Sequence, residues 1–303
     1  MNSRKVKIGE KMAILKDGDK VGLVCLSNGL AKEMEENIQC LCNVLQEIGL
    51  QPICSPYLYK TTSVSSAEPN QRAKVLMDFY QAEEIKAIFD ISGGDIANEV
   101  LTYLDYKIIK DKNKPFFGYS DLTTVINALY SQTGRSSYLY QIRNVIGSDS
   151  DKQQSYIRQS LLEDKPGLLD FSYTFLQGNS LEGIVVGGNI RCLLKLAGTK
   201  FMPDCTGKIL FLESRSGGVA QMITFLNQYK QMGILDQING LILGSFSEME
   251  EKKLIPSIEE LVIRVLGERK IPIVKTREIG HGQDSKAIII GQSIRLRAYE
   301  SSQ

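Results

Sequence analysis

Short apolar runs rich in β-branched and aromatic residues alternate with stretches of helical periodicity through most of this chain. That alternation is its strongest constraint on the fold. It predicts strands over 21–26, 52–54, 87–91 and 115–119, with helices over 31–48, 71–84 and 96–103 between them. Parallel strands need long crossover connections, and helices in those connections cover the faces of the sheet. The first half therefore reads as a parallel α/β sheet. The polar stretch 148–151 marks the start of a connection. A second alternation follows, with strands near 183–186, 208–212, 241–244, 271–274 and 287–290. A length of 303 residues accommodates two domains. The expected division is 1–150, a connection over 151–180, and 181–303. The chain shows no internal repeat and no low-complexity tract.

Several classes of function are disfavoured by composition. A formal net charge of +1 and the lack of a basic stripe give no reason to expect nucleic acid or an anionic membrane as partner. Residues 1–8 are charged and lack the apolar core of a signal peptide. No run approaches the roughly 18 apolar residues of a spanning helix. The six cysteines are scattered, and Cys40-Leu41-Cys42 has no second pair to complete a zinc site. Cys25 and Cys54 lie in apolar strands and are expected as core thiols. Free thiols without an export signal point to the cytoplasm. No metal and no cofactor is expected.

There is one histidine, His281, flanked by glycines in Gly280-His281-Gly282. Histidine alone among side chains has an unperturbed pKa, roughly 6.5, suited to taking and giving a proton near neutrality. Imidazole acid–base chemistry therefore has a single candidate. A surface loop histidine is the plainer alternative.

A nucleophile is offered by Gly118-Tyr119-Ser120-Asp121. The run 115–119 is apolar and aromatic, as a buried strand is. From Asp121 the apolar positions Leu122, Val125, Ile126 and Leu129 have helical spacing. Ser120 thus falls at a sharp strand-to-helix turn, the geometry of a nucleophile elbow. The helix N-terminus supplies free N–H groups and a positive dipole end. The second glycine of G-x-S-x-G is missing, and a simple N-capping serine is the alternative. The carboxylate candidate is Glu213, which follows the apolar run 209–212 and precedes a loop bearing Gly217 and Gly218. Functional residues in open α/β sheets gather at the carboxyl ends of strands. The alternative is an ordinary strand-end acid paired with Arg215. The chain order Ser120, Glu213, His281 is the Ser…Asp/Glu…His order of α/β-hydrolases. In such a set the imidazole takes the hydroxyl proton and the carboxylate orients and stabilises the imidazolium.

A glycine pair, Gly93-Gly94-Asp95, follows the strand at 87–91. Neither G-x-G-x-x-G nor the Walker pattern is present, so a nucleotide-phosphate turn is not favoured. An oxyanion or substrate-carboxylate cradle fits better, with the backbone N–H groups of Gly94 and Asp121 as oxyanion donors.

In the order of these segments the chain resembles the LD-carboxypeptidase family, serine peptidases that include the microcin C immunity peptidases. The segments are 18–27 with its serine turn, Ser92-Gly93-Gly94-Asp95 followed by Leu104-Asp105-Tyr106, and Gly118-Tyr119-Ser120-Asp121. They continue through Gly187-Gly188-Asn189 with Ala197-Gly198-Thr199, Leu212-Glu213, and Gly280-His281-Gly282. The resemblance implies an N-terminal Rossmann-like or flavodoxin-like domain carrying the serine and a C-terminal α/β domain carrying the glutamate and histidine. The active site would lie at their junction, in a homodimer. It also implies hydrolysis of the amide bond between an L-centre and a terminal D-residue in murein peptides, or of a toxic peptide-nucleotide in the immunity branch. Three departures bear on the substrate. Asp95 stands where a tyrosine is frequent, Ser214 and Arg215 follow Glu213 where many members have another acid, and the chain has no tryptophan. Three functions stay open: an LD-carboxypeptidase, an immunity-type amidase, and a non-catalytic ligand-binding protein on the same scaffold. An intact Ser120, Glu213 and His281 set speaks against the third.

Overall fold

The computed structural model describes residues 14–298. Residues 1–8, read above for a signal peptide, lie outside them. The strands are β1 (Lys20–Val24), β2 (Gln51–Cys54), β3 (Ile85–Asp90), β4 (Phe116–Gly118), β5 (Ser137–Leu139), β6 (Thr174–Gln177), β7 (Ser180–Asn189), β8 (Ile209–Ser214), β9 (Gly240–Phe246), β10 (Ile273–Lys275), β11 (Ile288–Ile290) and β12 (Ser293–Arg297). They form two sheets of six strands. The first runs β11-β5-β4-β3-β1-β2, and β1 to β5 are parallel. Its parallel order is the 2-1-3-4-5 of flavodoxin-like sheets. The second runs β12-β7-β8-β9-β10-β6, with β7 to β10 parallel and antiparallel strands at both edges. The fold is α/β with two sheets, as the alternation predicts.

The sequence dictates which strands sit inside. Every residue of β8 and β9 is buried, as strands covered by helices on both faces must be. β12, Ser-Ile-Arg-Leu-Arg, alternates exposed and buried as a half-solvated edge strand does. β2 is an edge strand of the first sheet and carries Pro52, whose missing N–H is tolerated there.

Two expectations change, for Cys54 and for the strand at 287–290, and two are refined. Cys54 is exposed on β2, with its Sγ 3.7 Å from that of Cys42, because β2 is an edge strand rather than a core strand. The segment 148–151 opens the helix Ser150–Leu161, whose Ile157 and Leu161 pack into the core under the first sheet. The segment 96–103 is a 3₁₀ helix, Ala97–Tyr103. The strand expected at 287–290 exists, but as β11 it crosses to the first sheet and pairs antiparallel with β5. β5, β6 and β12 are strands that the periodicity did not mark.

β3 ends on Asp90, which is 1% exposed. Burial pushes its carboxyl from the ordinary 3.8 up to about 6, against the pull of hydrogen bonds from Ser92 and Leu26. The folded chain therefore holds this proton to higher pH than the unfolded chain. The resulting stabilisation is complete below pH 3.8 and is lost as pH rises through about 6. Asp90→Asn keeps a neutral group at all pH. Urea unfolding of both proteins should show the wild type losing up to about 3 kcal/mol relative to the variant between pH 4 and pH 7. A difference independent of pH would refute the shift.

Candidate functional site

β4 ends at Gly118, and Tyr119 keeps an extended backbone, with φ −152°. Ser120 then adopts φ 55° and begins the 3₁₀ turn Ser120–Leu122, which runs into the helix Thr123–Thr133. A single left-handed residue lets the chain leave the strand and enter the helix within one step. For a residue with a Cβ this costs about 1–3 kcal/mol, and such strain gathers at functional sites. Ser120 makes no side-chain hydrogen bond among the described residues, so it is not a capping serine. Its helix is buried for most of its length and is bolted to the second sheet. Asn127 Nδ2 donates to the Gly187 carbonyl at 2.8 Å, and the Gly187 N–H donates to Asn127 Oδ1 at 3.0 Å. The Asn189 N–H donates to Thr123 Oγ1 at 2.9 Å. These bonds set the serine turn against the end of β7.

Glu213 lies within β8, one residue before its end, rather than beyond the strand, and it is fully buried. Sheet register places it opposite Asn189 on β7. Its Oε1 accepts from Asn189 Nδ2 at 3.1 Å, and its Oε2 lies 2.7 Å from His281 Nδ1. The Tyr119 hydroxyl stands 3.5 Å from the same Oε2. Burial, reinforced by the adjacent Glu213 carboxylate, holds the Tyr119 phenol well above its ordinary pKa, so it stays a neutral donor. Arg215 is exposed and is not the partner of Glu213.

His281 is 11% exposed, and its ring centroid lies 4.5 Å from that of Tyr119. Gly280 before it has φ 156°, and a Cβ there would fall 1.7 Å from Ser245 Oγ. Only glycine lets the loop press against β9 this closely. With Nδ1 donating to Glu213, Nε2 is the lone-pair nitrogen.

Ser120 and His281 line one cleft of about 1230 Å³, together with Gly93, Gly94, Tyr119 and Asn189. The cleft opens at the carboxyl ends of β1 and β3, where the strand order of the first sheet reverses, the usual ligand position in such sheets. Gly94 has φ 131°, and its loop is held by Asn28, whose Oδ1 accepts from the Asp95 N–H at 3.0 Å. All six residues singled out in the sequence meet here, Asp121 through its place in the serine turn.

The Asp121 side chain has a part the sequence did not indicate. It is fully buried and accepts from Ser27 Oγ at 2.6 Å, the Ala97 N–H at 2.8 Å and Lys195 Nζ at 2.5 Å. Lys195 also donates to the Asp95 carbonyl at 2.9 Å. One ammonium thus ties the serine turn to the glycine loop. Nothing in the sequence pattern marks Lys195, whereas Asn189 stood in the Gly187-Gly188-Asn189 segment. Lys195→Met would strand the buried Asp121 charge. A loss of about 3–5 kcal/mol in chemical denaturation is expected, as for other broken buried pairs. A loss below about 1 kcal/mol would show that Ser27 and Ala97 suffice.

Among the described residues no group of three His, Cys, Asp or Glu side chains is gathered to hold a metal, and no helix is long and apolar enough to cross a membrane.

Two α/β sheets meeting at a cleft that holds a strained serine and a carboxylate-bound imidazole have the ground plan of a serine-type hydrolase. The sequence profile of the LD-carboxypeptidase N-terminal domain matches residues 21–140, and that of the LD-carboxypeptidase C-terminal domain matches residues 182–296. The chain belongs to the LD-carboxypeptidase family, and it is a hydrolase of the serine peptidase type. A probable murein peptide carboxypeptidase of Bacillus subtilis (strain 168) is 26% identical over 304 residues, covering 96% of this chain and 93% of that protein. Among solved structures, MccF in complex with glutamyl sulfamoyl guanosine superimposes with a TM-score of 0.82 at 20% identity, covering 95% of this chain and 98% of the other. A muramoyltetrapeptide carboxypeptidase from Oxalobacter formigenes gives 0.78 at 23% identity, covering 92% and 95%. At these identities the structural likeness speaks for the fold.

Proposed function

We propose that this chain hydrolyses the amide bond between an L-centre and a terminal D-amino acid in murein-derived peptides, with Ser120 as nucleophile, His281 as general base and Glu213 as its orienting carboxylate. The observation that carries this reading is the buried 2.7 Å contact between Glu213 and His281 Nδ1, at the cleft that Ser120 also lines. His281 Nε2 takes the Ser120 proton as Oγ attacks the scissile carbonyl. The carbonyl oxygen becomes an oxyanion, held by the N–H groups of Gly94 and Asp121. Each such donor is worth about 2.7–4 kcal/mol of barrier. As the C–N bond breaks, the imidazolium returns its proton to the departing amine. Water, deprotonated by the same imidazole, then cleaves the acyl-enzyme and regenerates Ser120. Glu213 orients the imidazole and stabilises the imidazolium, with Asn189 at its Oε1 and Tyr119 beside Oε2.

The name of the Bacillus subtilis relative favours murein peptides. The microcin immunity protein of Escherichia coli, 22% identical over 286 residues, keeps a peptide-nucleotide substrate as the second reading. Incubation with a murein tetrapeptide and, separately, with an aminoacyl sulfamoyl adenosine decides between them by mass spectrometry. Release of the terminal D-residue from the tetrapeptide is expected. Cleavage of the sulfamoyl adenosine alone would overturn the murein reading in favour of the second.

A further inference from the structure

Arg143 lies in the 3₁₀ turn Ile142–Ile146, which follows β5. β5 pairs with β4, with Leu139 opposite Gly118, so Arg143 leaves the first sheet at the same edge as Ser120, one strand over. Its guanidinium borders the cleft, and its Nε is fully buried without a hydrogen-bond partner. Among the described residues it forms no ion pair. The acid that acts on it is Asp90, but the Asp90 oxygens already accept from the Leu26 N–H at 2.8 Å, the Ser92 N–H at 2.7 Å and Ser92 Oγ at 2.5 Å. Burial and the like charge of Arg215 both press against the Arg143 cation. Arg215 borders the same cleft and is likewise without an ion-pair partner among the described residues. Of the other cations here, Arg191 holds Asp95 at 2.5 Å and Lys195 holds Asp121, while Lys60, exposed in the loop after β2, also lines the cleft without an ion pair among the described residues.

The Arg143 Nε is sealed from the cleft, so a ligand there would meet the rest of a guanidinium that has no ion pair among the described residues. A guanidinium presents a planar fork of donors that matches a carboxylate in bidentate fashion. Two unpaired guanidiniums lining one cleft, one from each sheet, also concentrate anions there. We infer that Arg143, assisted by Arg215, is the substrate-carboxylate subsite of the cleft, distinct from the oxyanion donors. The identity of that carboxylate rests on the peptidase reading. It is the free α-carboxylate of the terminal residue or an acidic side chain of the same peptide.

Calorimetry on a Ser120→Ala background separates the possibilities, with the murein tetrapeptide, its C-terminal amide, and a tetrapeptide whose acidic side chain is amidated. Arg143→Gln should weaken the free acid about 100-fold, the usual scale for removing one partner of a desolvated charge pair. Whichever amidated peptide binds about 100-fold weaker than the parent before the substitution, and no more than about threefold weaker after it, identifies the carboxylate. Arg143→Lys keeps the charge but loses the fork, and should recover only part of the affinity. Should Arg143→Gln fail to fold, Arg215→Gln at an exposed position should still weaken the free acid about threefold to tenfold. Equal losses for acid and amides, or none, would overturn the inference. N-acetyl-D-alanine against N-acetyl-D-alaninamide provides a probe free of the peptidase reading. If the wild type leaves the tetrapeptide intact yet binds N-acetyl-D-alanine only with Arg143 present, the peptidase reading fails and the subsite stands. If it cleaves the tetrapeptide while Arg143→Gln changes neither the probes' binding nor the affinity gap between the tetrapeptide and its two amides, the subsite fails and the peptidase reading stands.

Discussion

Ser120→Ala should lower kcat for the tetrapeptide by roughly 10⁶-fold, the scale set by removal of the nucleophile in other serine peptidases. Stopped assays with mass-spectrometric detection of the released residue measure it. The fold should be unaffected, because Ser120 makes no side-chain hydrogen bond among the described residues. Alanine keeps the Cβ, and with it the strain of φ 55°. Ser120→Gly removes both hydroxyl and strain. It should be as inactive as the alanine variant but more stable by about 1 kcal/mol or more. Near wild-type turnover in Ser120→Ala would eliminate it as nucleophile. A glycine variant no more stable than wild type would show that the turn is not strained.

Glu213→Gln should reduce kcat by roughly 10⁴-fold with little change in KM, as the corresponding change of acid to amide does in a serine protease triad. The interaction matters most when the imidazole carries a proton, so the loss appears in the transition state. Glutamine can still accept from Asn189 through its carbonyl oxygen. It cannot provide an anion, and its NH₂ group facing Nδ1 would favour the wrong tautomer. Asn189→Ala should show a smaller fall, because Glu213 keeps both its charge and its contact with His281. A Glu213→Gln enzyme within tenfold of wild type would mean that another group orients His281.

The three residues proposed to react could be singled out because each stands at a discontinuity in the chain. Ser120 falls where strand spacing gives way to helical spacing, Glu213 where an unbroken apolar run meets a charge, and His281 is unique. What holds them in place was not legible, since it depends on partners far apart in sequence. Lys195 is an ordinary lysine until the fold brings it to Asp121, 74 positions away. Arg143 gains its meaning from Asp90 being already satisfied by its neighbours. Cys54 was misread because an apolar segment does not reveal whether its strand lies in the middle or at the edge. β12 alternates over five residues and β6 spans four, too short for a period to stand out.

The segment bearing the histidine leaves the second sheet at Lys275, enters the first as β11 at Ile288, and is back in the second by Ser293. The chain therefore stitches the two sheets together on either side of the imidazole. Halves joined by one linker can swing apart like the jaws of a clamp. Here such a swing would have to tear β11 from β5. Any widening of the cleft then falls to the loops at its mouth, and the two halves are poor units for genetic exchange. A recombination point placed between Leu161 and Thr174 would give the incoming first half a foreign edge strand, and the histidine loop would lose one of its two moorings.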